Sequence, residues 1–116
     1  MLLARITGRE VYKRDLNKFL TWTMNSAYRT NKGLVYIDEQ GASRYAVNAA
    51  LIALQASKVF PDYASTYETF AKKQINYLLG DSGRSFVVGF GINPPQRPYH
   101  RGRYSTLCSL SNLLTP

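Results

Sequence analysis

Apolar residues recur at helical spacing over most of the first eighty positions. Residues 2–7 read as the end of a helix, which Gly8 stops. Apolar positions return every three or four residues from 10 to about 28, and again from about 63 to 79, as in amphipathic helices. Residues 44 to about 57 predict a further helix, and its interior, 46–54, is apolar on nearly every face, so we expect it to be buried on all sides. The pattern therefore predicts an all-α fold.

The breaks between these segments carry the residues that start, turn and stop helices. Ser43 is placed to cap the helix at 44–57. Residues 34–37 predict a short extended connection, and the sequence Phe60-Pro61-Asp62 predicts a turn. Gly80 supplies the left-handed stop after the last helix.

A long segment rich in glycine and proline follows Gly80 and forbids regular structure over some twenty residues. Loops of this length in compact domains are usually functional or disordered. Residues 86–88 and Phe90 are apolar, and we expect them to anchor an ordered loop. The glycines and prolines are Gly83, Gly89, Gly91, Pro94, Pro95, Pro98 and Gly102.

Length and charge narrow the class of protein. The chain has 116 residues, compatible with one domain, and a net charge of +8 with no acidic residue after Asp81. This imbalance fits either a basic surface for a polyanion or a piece of a longer protein. Cys108 is the only cysteine, so no internal disulfide forms. The start, residues 1–5, is too short an apolar stretch for a signal peptide, and no apolar run is long enough to span a bilayer.

Three blocks resemble the sequence of glycoside hydrolase family 9. The loop at 85–101 is similar to the family's active-site signature, Ser-Tyr-Val-x-Gly-Phe-Gly-x-Asn-Pro-Pro-x-x-Pro-His-His-Arg. Residues 40–50 resemble Trp-Gly-Ser-x-Arg-Tyr-Ala-x-Asn-Ala-Ala, and residues 70–81 resemble Phe-Ala-x-x-Gln-x-x-Tyr-Ile-Leu-Gly-Asp. The resemblance covers residues 1–103, whereas residues 104–116 read as a divergent tail with no family pattern.

The resemblance implies part of an (α/α)6 barrel, with the Gly/Pro-rich active-site loop on its C-terminal side. It implies inverting hydrolysis of β-1,4-glucan (cellulose or cello-oligosaccharides) by a secreted endoglucanase, and it implies no cofactor and no metal. We expect neither a specific nucleic-acid partner nor a membrane partner.

The same resemblance assigns candidate substrate-binding residues. Arg44 and Tyr45 match the family's Arg-Tyr pair, which lines the cleft, and Arg101 matches the closing Arg of the signature. Tyr99 falls on the family's active-site His, and His100 is a possible substitute for it. A phenol titrates near 10 and cannot replace a charged imidazole near neutral pH.

The catalytic carboxylates are the missing part. Inverting hydrolysis needs a basic and an acidic carboxyl group about 6.5–9.5 Å apart. The family's Asp-Ala-Gly-Asp and Asn-Glu-Val-Ala segments do not occur here, so we expect the isolated chain to be inactive. The alternatives are a noncatalytic carbohydrate-binding remnant and a basic module that interacts with nucleic acid. The available acids are Glu10, Asp15, Asp38, Glu39, Asp62, Glu68 and Asp81.

Overall fold

The computed structural model describes residues 2–98, and every regular element within that range is helical. A single antiparallel bridge joins Arg29 to Val35 in the connection predicted to be extended. The all-α prediction is therefore confirmed for these residues. The elements are α1 (Leu2–Thr7), α2 (Glu10–Asn25), α3 (Ala42–Ala56), a 3₁₀ turn (Pro61–Tyr63), α4 (Ala64–Asn76) and a π-helical turn (Tyr77–Asp81).

Helix α2 ends at Asn25, three residues before the predicted end. The N–H groups of Ser26 and Ala27 both donate to the carbonyl of Trp22, each at 2.8 Å. The Arg29 guanidinium then donates to the carbonyls of Thr23 and Met24 at 3.2 and 2.7 Å. These bonds satisfy the last carbonyls of the helix, so the backbone is free to turn away.

Helix α3 begins two residues earlier than predicted, and the capping role assigned to Ser43 is wrong. Gly41 occupies the cap position with φ +79°, a left-handed conformation that glycine adopts without strain. The N–H of Arg44 donates to the Gly41 carbonyl at 2.9 Å, and no side chain caps this helix. Ser43 therefore lies inside the first turn.

The prediction that α3 is buried on all sides is also wrong. Its alanines are buried, whereas Val47, Leu51 and Leu54 are 37%, 52% and 41% exposed. These three lie at helical spacing on one face, and within residues 2–98 the other face of α3 packs mainly against α4 and more weakly against α2. The exposed side chains of α4 are polar, as at Thr69 and Lys72. Helix α3 thus has an apolar outer face and α4 a polar one.

Helices α3 and α4 run antiparallel, and this orientation determines which segments of the chain meet at each end of the bundle. Ala46, near the start of α3, shares a buried cluster with Leu78, just after α4, and with Leu34 from the α2–α3 connection. The start of α3, the end of α4 and that connection therefore meet at one end of the bundle. We call residues 26–45 and 77–98 the loop end.

The Gly/Pro-rich loop is held mainly by its backbone, and the prediction that its apolar residues anchor it is wrong, because those side chains stay largely exposed. Phe86 and Phe90 are 52% and 55% exposed. The buried residue is Ser85, whose N–H donates to the Ile92 carbonyl at 2.7 Å. A Cβ on Gly91 would lie 2.3 Å from the Leu79 carbonyl oxygen, so only glycine permits this close approach.

Candidate functional site

Arg44 and Tyr45, the two substrate-binding candidates inside the described residues, contact each other in the first turn of α3. The Arg44 Nη2 donates to the Tyr45 hydroxyl at 3.1 Å, and its Cζ lies 4.8 Å from the centre of the Tyr45 ring. The guanidinium is exposed, and the ring is half-buried. Within residues 2–98 only Nη2 of this guanidinium has hydrogen-bond partners, the second being the Gln40 carbonyl at 3.5 Å. Its other N–H groups have no hydrogen-bond partner in this part of the chain.

The connection before α3 is held in place by Gln74 of α4. Gln74 is 2% exposed; its Oε1 accepts the N–H of Val35 at 2.8 Å and its Nε2 donates to the Gly33 carbonyl at 3.1 Å. Arg29 also donates to that carbonyl at 3.3 Å, and its Cζ lies 5.6 Å from the centre of the Phe70 ring. These contacts fix the connection whose far end leads into Arg44.

Two further contacts join the connection to the segment after α4. The Thr30 hydroxyl donates to the Tyr77 hydroxyl at 3.3 Å, and the Tyr77 ring stacks on Phe86 with centroids 6.1 Å apart. The Lys32 ammonium donates to the Ser82 carbonyl. The loop end is therefore one connected set of contacts that includes the start of the signature loop.

An open groove of about 1250 Å³ lies beside these contacts, between the α2–α3 connection and α4. Most of the residues that line it are polar or charged, although apolar atoms such as those of the Phe70 ring also face it, and sequence reasoning did not single it out. The one indication of this groove in the sequence is Gln74, which belongs to the block at 70–81 that resembles the family. It lies on the buried stripe of α4, where an apolar residue is usual. The charged residues of its walls are Arg29, Lys32, Lys72, Lys73 and Asp81.

The seven acidic residues are spread over α2, the α2–α3 connection, α4 and the turns on either side of α4. Glu10 and Asp15 pair with Lys13 and Arg14 on α2, at 2.9 and 3.8 Å. Asp38 Oδ1 accepts the N–H of Gln40 at 2.9 Å, as in an Asx turn. The other four lie in the α2–α3 connection, the turn before α4, α4 itself and the turn after it.

Metal and membrane features are equally absent from the described part. Residues 2–98 contain no group of three or more His, Cys, Asp or Glu side chains placed to hold a metal ion. None of the helices described is both long and apolar enough to cross a membrane. The remaining candidates, Tyr99, His100 and Arg101, lie outside the described residues.

The fold and the site define a class before any comparison. Helices with apolar and polar outer faces alternate, and a Tyr-Arg pair shares one end with a glycine-rich loop, as expected of part of an α/α toroid. The sequence profile of glycosyl hydrolase family 9 matches residues 2–111. The chain belongs to this family, and the prediction drawn from the signature is confirmed.

Individual relatives agree with the family match. The chain is 39% identical over 124 residues to endoglucanase B of Cellulomonas fimi, covering 99% of this chain and 12% of that protein. The endoglucanase structure from the termite Nasutitermes takasagoensis superposes with a TM-score of 0.81 at 49% identity, covering 86% of this chain and 23% of the other. Endoglucanase CelQ of Clostridium thermocellum, solved with cellotriose, gives 0.77 at 43% identity, covering 86% and 18%.

These comparisons place the chain within a much larger fold. The chain spans less than a quarter of the length of each of these three proteins. Its fold is part of an (α/α)6 barrel, as predicted. The family match extends past the boundary predicted near residue 103, and that boundary stays a prediction.

Proposed function

We propose that this chain forms one wall of the glucan-binding cleft of a secreted endo-β-1,4-glucanase. The observation that carries the proposal is the arrangement of the loop end. Antiparallel packing of α3 and α4 brings Arg44 and Tyr45 to the same end of the bundle as the family signature loop. Cellotriose bound to CelQ supports a cello-oligosaccharide as the ligand class.

Each candidate has a chemical role in such a cleft. Tyr45 offers an aromatic ring edge and a hydroxyl to a glucose unit, and the ring is fixed in place by the Arg44 guanidinium. Arg44 supplies the N–H donors that it does not spend on Tyr45 and Gln40. Arg101, by its place in the signature, adds a further cation to the same cleft. Tyr99 donates one hydrogen bond where the family has a charged His, or His100 substitutes for it.

The reaction itself needs groups that these residues do not supply. In inverting hydrolysis one carboxylate activates water and one carboxylic acid protonates the leaving oxygen. Each positioned group contributes about 10²–10⁴-fold to the rate. The chain therefore binds substrate and orients it, and the longer protein provides the acid and the base.

The test is binding of cellotetraose to the full 116-residue chain, followed by amide NMR, with maltotetraose as the matched α-linked control. We expect shifts at Arg44, Tyr45 and the signature loop with a Kd no tighter than about 1 mM, because most of the cleft is missing. Tyr45→Ala should abolish the shifts, and Lys58→Met, at the other end of α3, should not. Equal responses to both sugars, or no response to either, would refute the proposal.

Hydrolysis provides a second readout. The chain should release no reducing sugar from carboxymethylcellulose. Release that disappears in Arg101→Ala would show that a catalytic pair does exist among the seven acids.

A further inference from the structure

The turn that follows α4 is held from one side by Lys32, a residue 50 positions away in sequence. The Lys32 ammonium donates to the Ser82 carbonyl and lies 3.5 Å from the point where a Gly83 side chain would begin. The carbonyls at the end of a helix carry partial negative charge, so a cation there is favourable. Lys32 thus ties the α2–α3 connection to the end of α4.

The same turn holds Asn93 of the signature loop from its other side. The Asn93 Nδ2 donates to the Gly83 carbonyl at 3.4 Å. Asn93 has φ +45° and is the one non-glycine residue among 2–98 in the left-handed region. Asn tolerates this conformation better than most residues do, but the following Pro94 restricts it further. The side-chain bond to the turn offsets this strain.

The loop between the turn and Asn93 has little freedom of its own. The Ser85 N–H donates to the Ile92 carbonyl at 2.7 Å, which closes the segment 85–92 directly before Asn93. The Gly89 N–H donates to the carbonyl of Pro95, two residues after Asn93, at 3.2 Å. A displacement of the turn at residues 82–83 therefore moves Asn93 and the prolines that lead to Arg101.

We propose that Lys32 is a positioning residue for the signature loop: through the Ser82–Gly83 turn it sets the place of Asn93 and of residues 94–98 that follow it. This role rests on the proposed function, because it assigns Lys32 to the geometry of the sugar-binding loop. In this role Lys32 acts on the loop through the turn and not through contact with the sugar. Its contribution reaches the site through one turn and one side-chain hydrogen bond.

The test compares Lys32→Met, Lys32→Arg and Lys58→Met in the full chain. Lys58→Met removes the same charge at the opposite end of α3, and Lys32→Arg keeps a donor. Hydrogen exchange is measured at the Ser85 and Gly89 amides, with the Ala50 amide of α3 as the internal reference. Because the ion-to-carbonyl bond is exposed, we expect about threefold faster exchange at both loop amides in Lys32→Met. Ala50 should be unchanged, and Lys32→Arg should restore the protection.

Cellotetraose binding is the second readout. We expect Lys32→Met to weaken it by about threefold and Lys32→Arg to restore it. Loop exchange in Lys32→Met equal to that in Lys58→Met would overturn the inference, as would faster exchange spread evenly over α3. A third outcome separates the two proposals. If the Ser85 and Gly89 amides are protected in the parent and exchange faster in Lys32→Met, but no variant binds cellotetraose, the proposed function is refuted and the role of the turn contact is established.

Discussion

Gln74→Met is the substitution whose cost the structure specifies best. The Gln74 side chain is 2% exposed and makes two hydrogen bonds, to the N–H of Val35 and to the carbonyl of Gly33. Methionine has a similar length and is apolar, so it fills the space without replacing either bond. The perturbation therefore isolates the hydrogen bonds from the packing.

The loss of each bond has a different consequence for the backbone group that Gln74 contacts. Val35 is fully buried, so its N–H has no access to water, and an unsatisfied buried donor costs about 1–3 kcal/mol. The Gly33 carbonyl keeps its bond to Arg29 at 3.3 Å, so losing Gln74 there costs about 0.5–1 kcal/mol. Burying the apolar methionine side chain offsets part of this. We expect a net destabilisation of about 2 kcal/mol.

The assay is urea unfolding of the full chain, followed by circular dichroism at one fixed protein concentration. With an m-value of about 1–2 kcal/mol/M, the midpoint should fall by about 1 M or more. The matched control is Gln55→Met on α3, where the side chain is exposed and the midpoint should stay nearly unchanged. A Gln74→Met midpoint equal to that of the control would show that the two bonds do not hold the connection against α4.

Two further outcomes test the exposed face of α3 and the aromatic core. Because Leu51 lies between Val47 and Leu54 on an exposed apolar face, the chain should self-associate. Leu51→Glu should shift the sedimentation mass toward 13.1 kDa, whereas Thr69→Glu on the polar outer face of α4 should not; a parent chain that sediments as a monomer at every concentration contradicts this. Burial, with a smaller contribution from Tyr63, raises the pKa of Tyr67, so its contribution to stability is fully present below the ordinary phenol pKa and is lost as pH rises through the raised value. Tyr67→Phe should remove that alkaline loss of stability in pH-dependent unfolding, and an unchanged alkaline limb would refute it.

Local sequence information was enough for the elements and for the family. Helical periodicity and glycine positions depend on contacts between residues three or four apart, so they predicted the helix that Gly8 ends and the helices at 10–28 and 63–79, which the structure has at 10–25 and 64–76. The spacing of glycine, asparagine and proline in the signature loop identified glycosyl hydrolase family 9, because that spacing is itself a local pattern. Neither inference required knowledge of which helices pack against each other.

Only the tertiary structure determined which helix faces are exposed and which residues anchor the signature loop. An apolar stretch such as 44–57 has the same pattern whether or not a partner covers it, and only the packing on α4 shows that Val47, Leu51 and Leu54 face outward. Ser85 anchors the loop because its N–H bonds to the Ile92 carbonyl, and the neighbouring Leu79 carbonyl leaves no room for a side chain at Gly91. Gln74 and Lys32 bond to groups 39 and 50 positions away, and bonds between residues so far apart depend on how the helices pack.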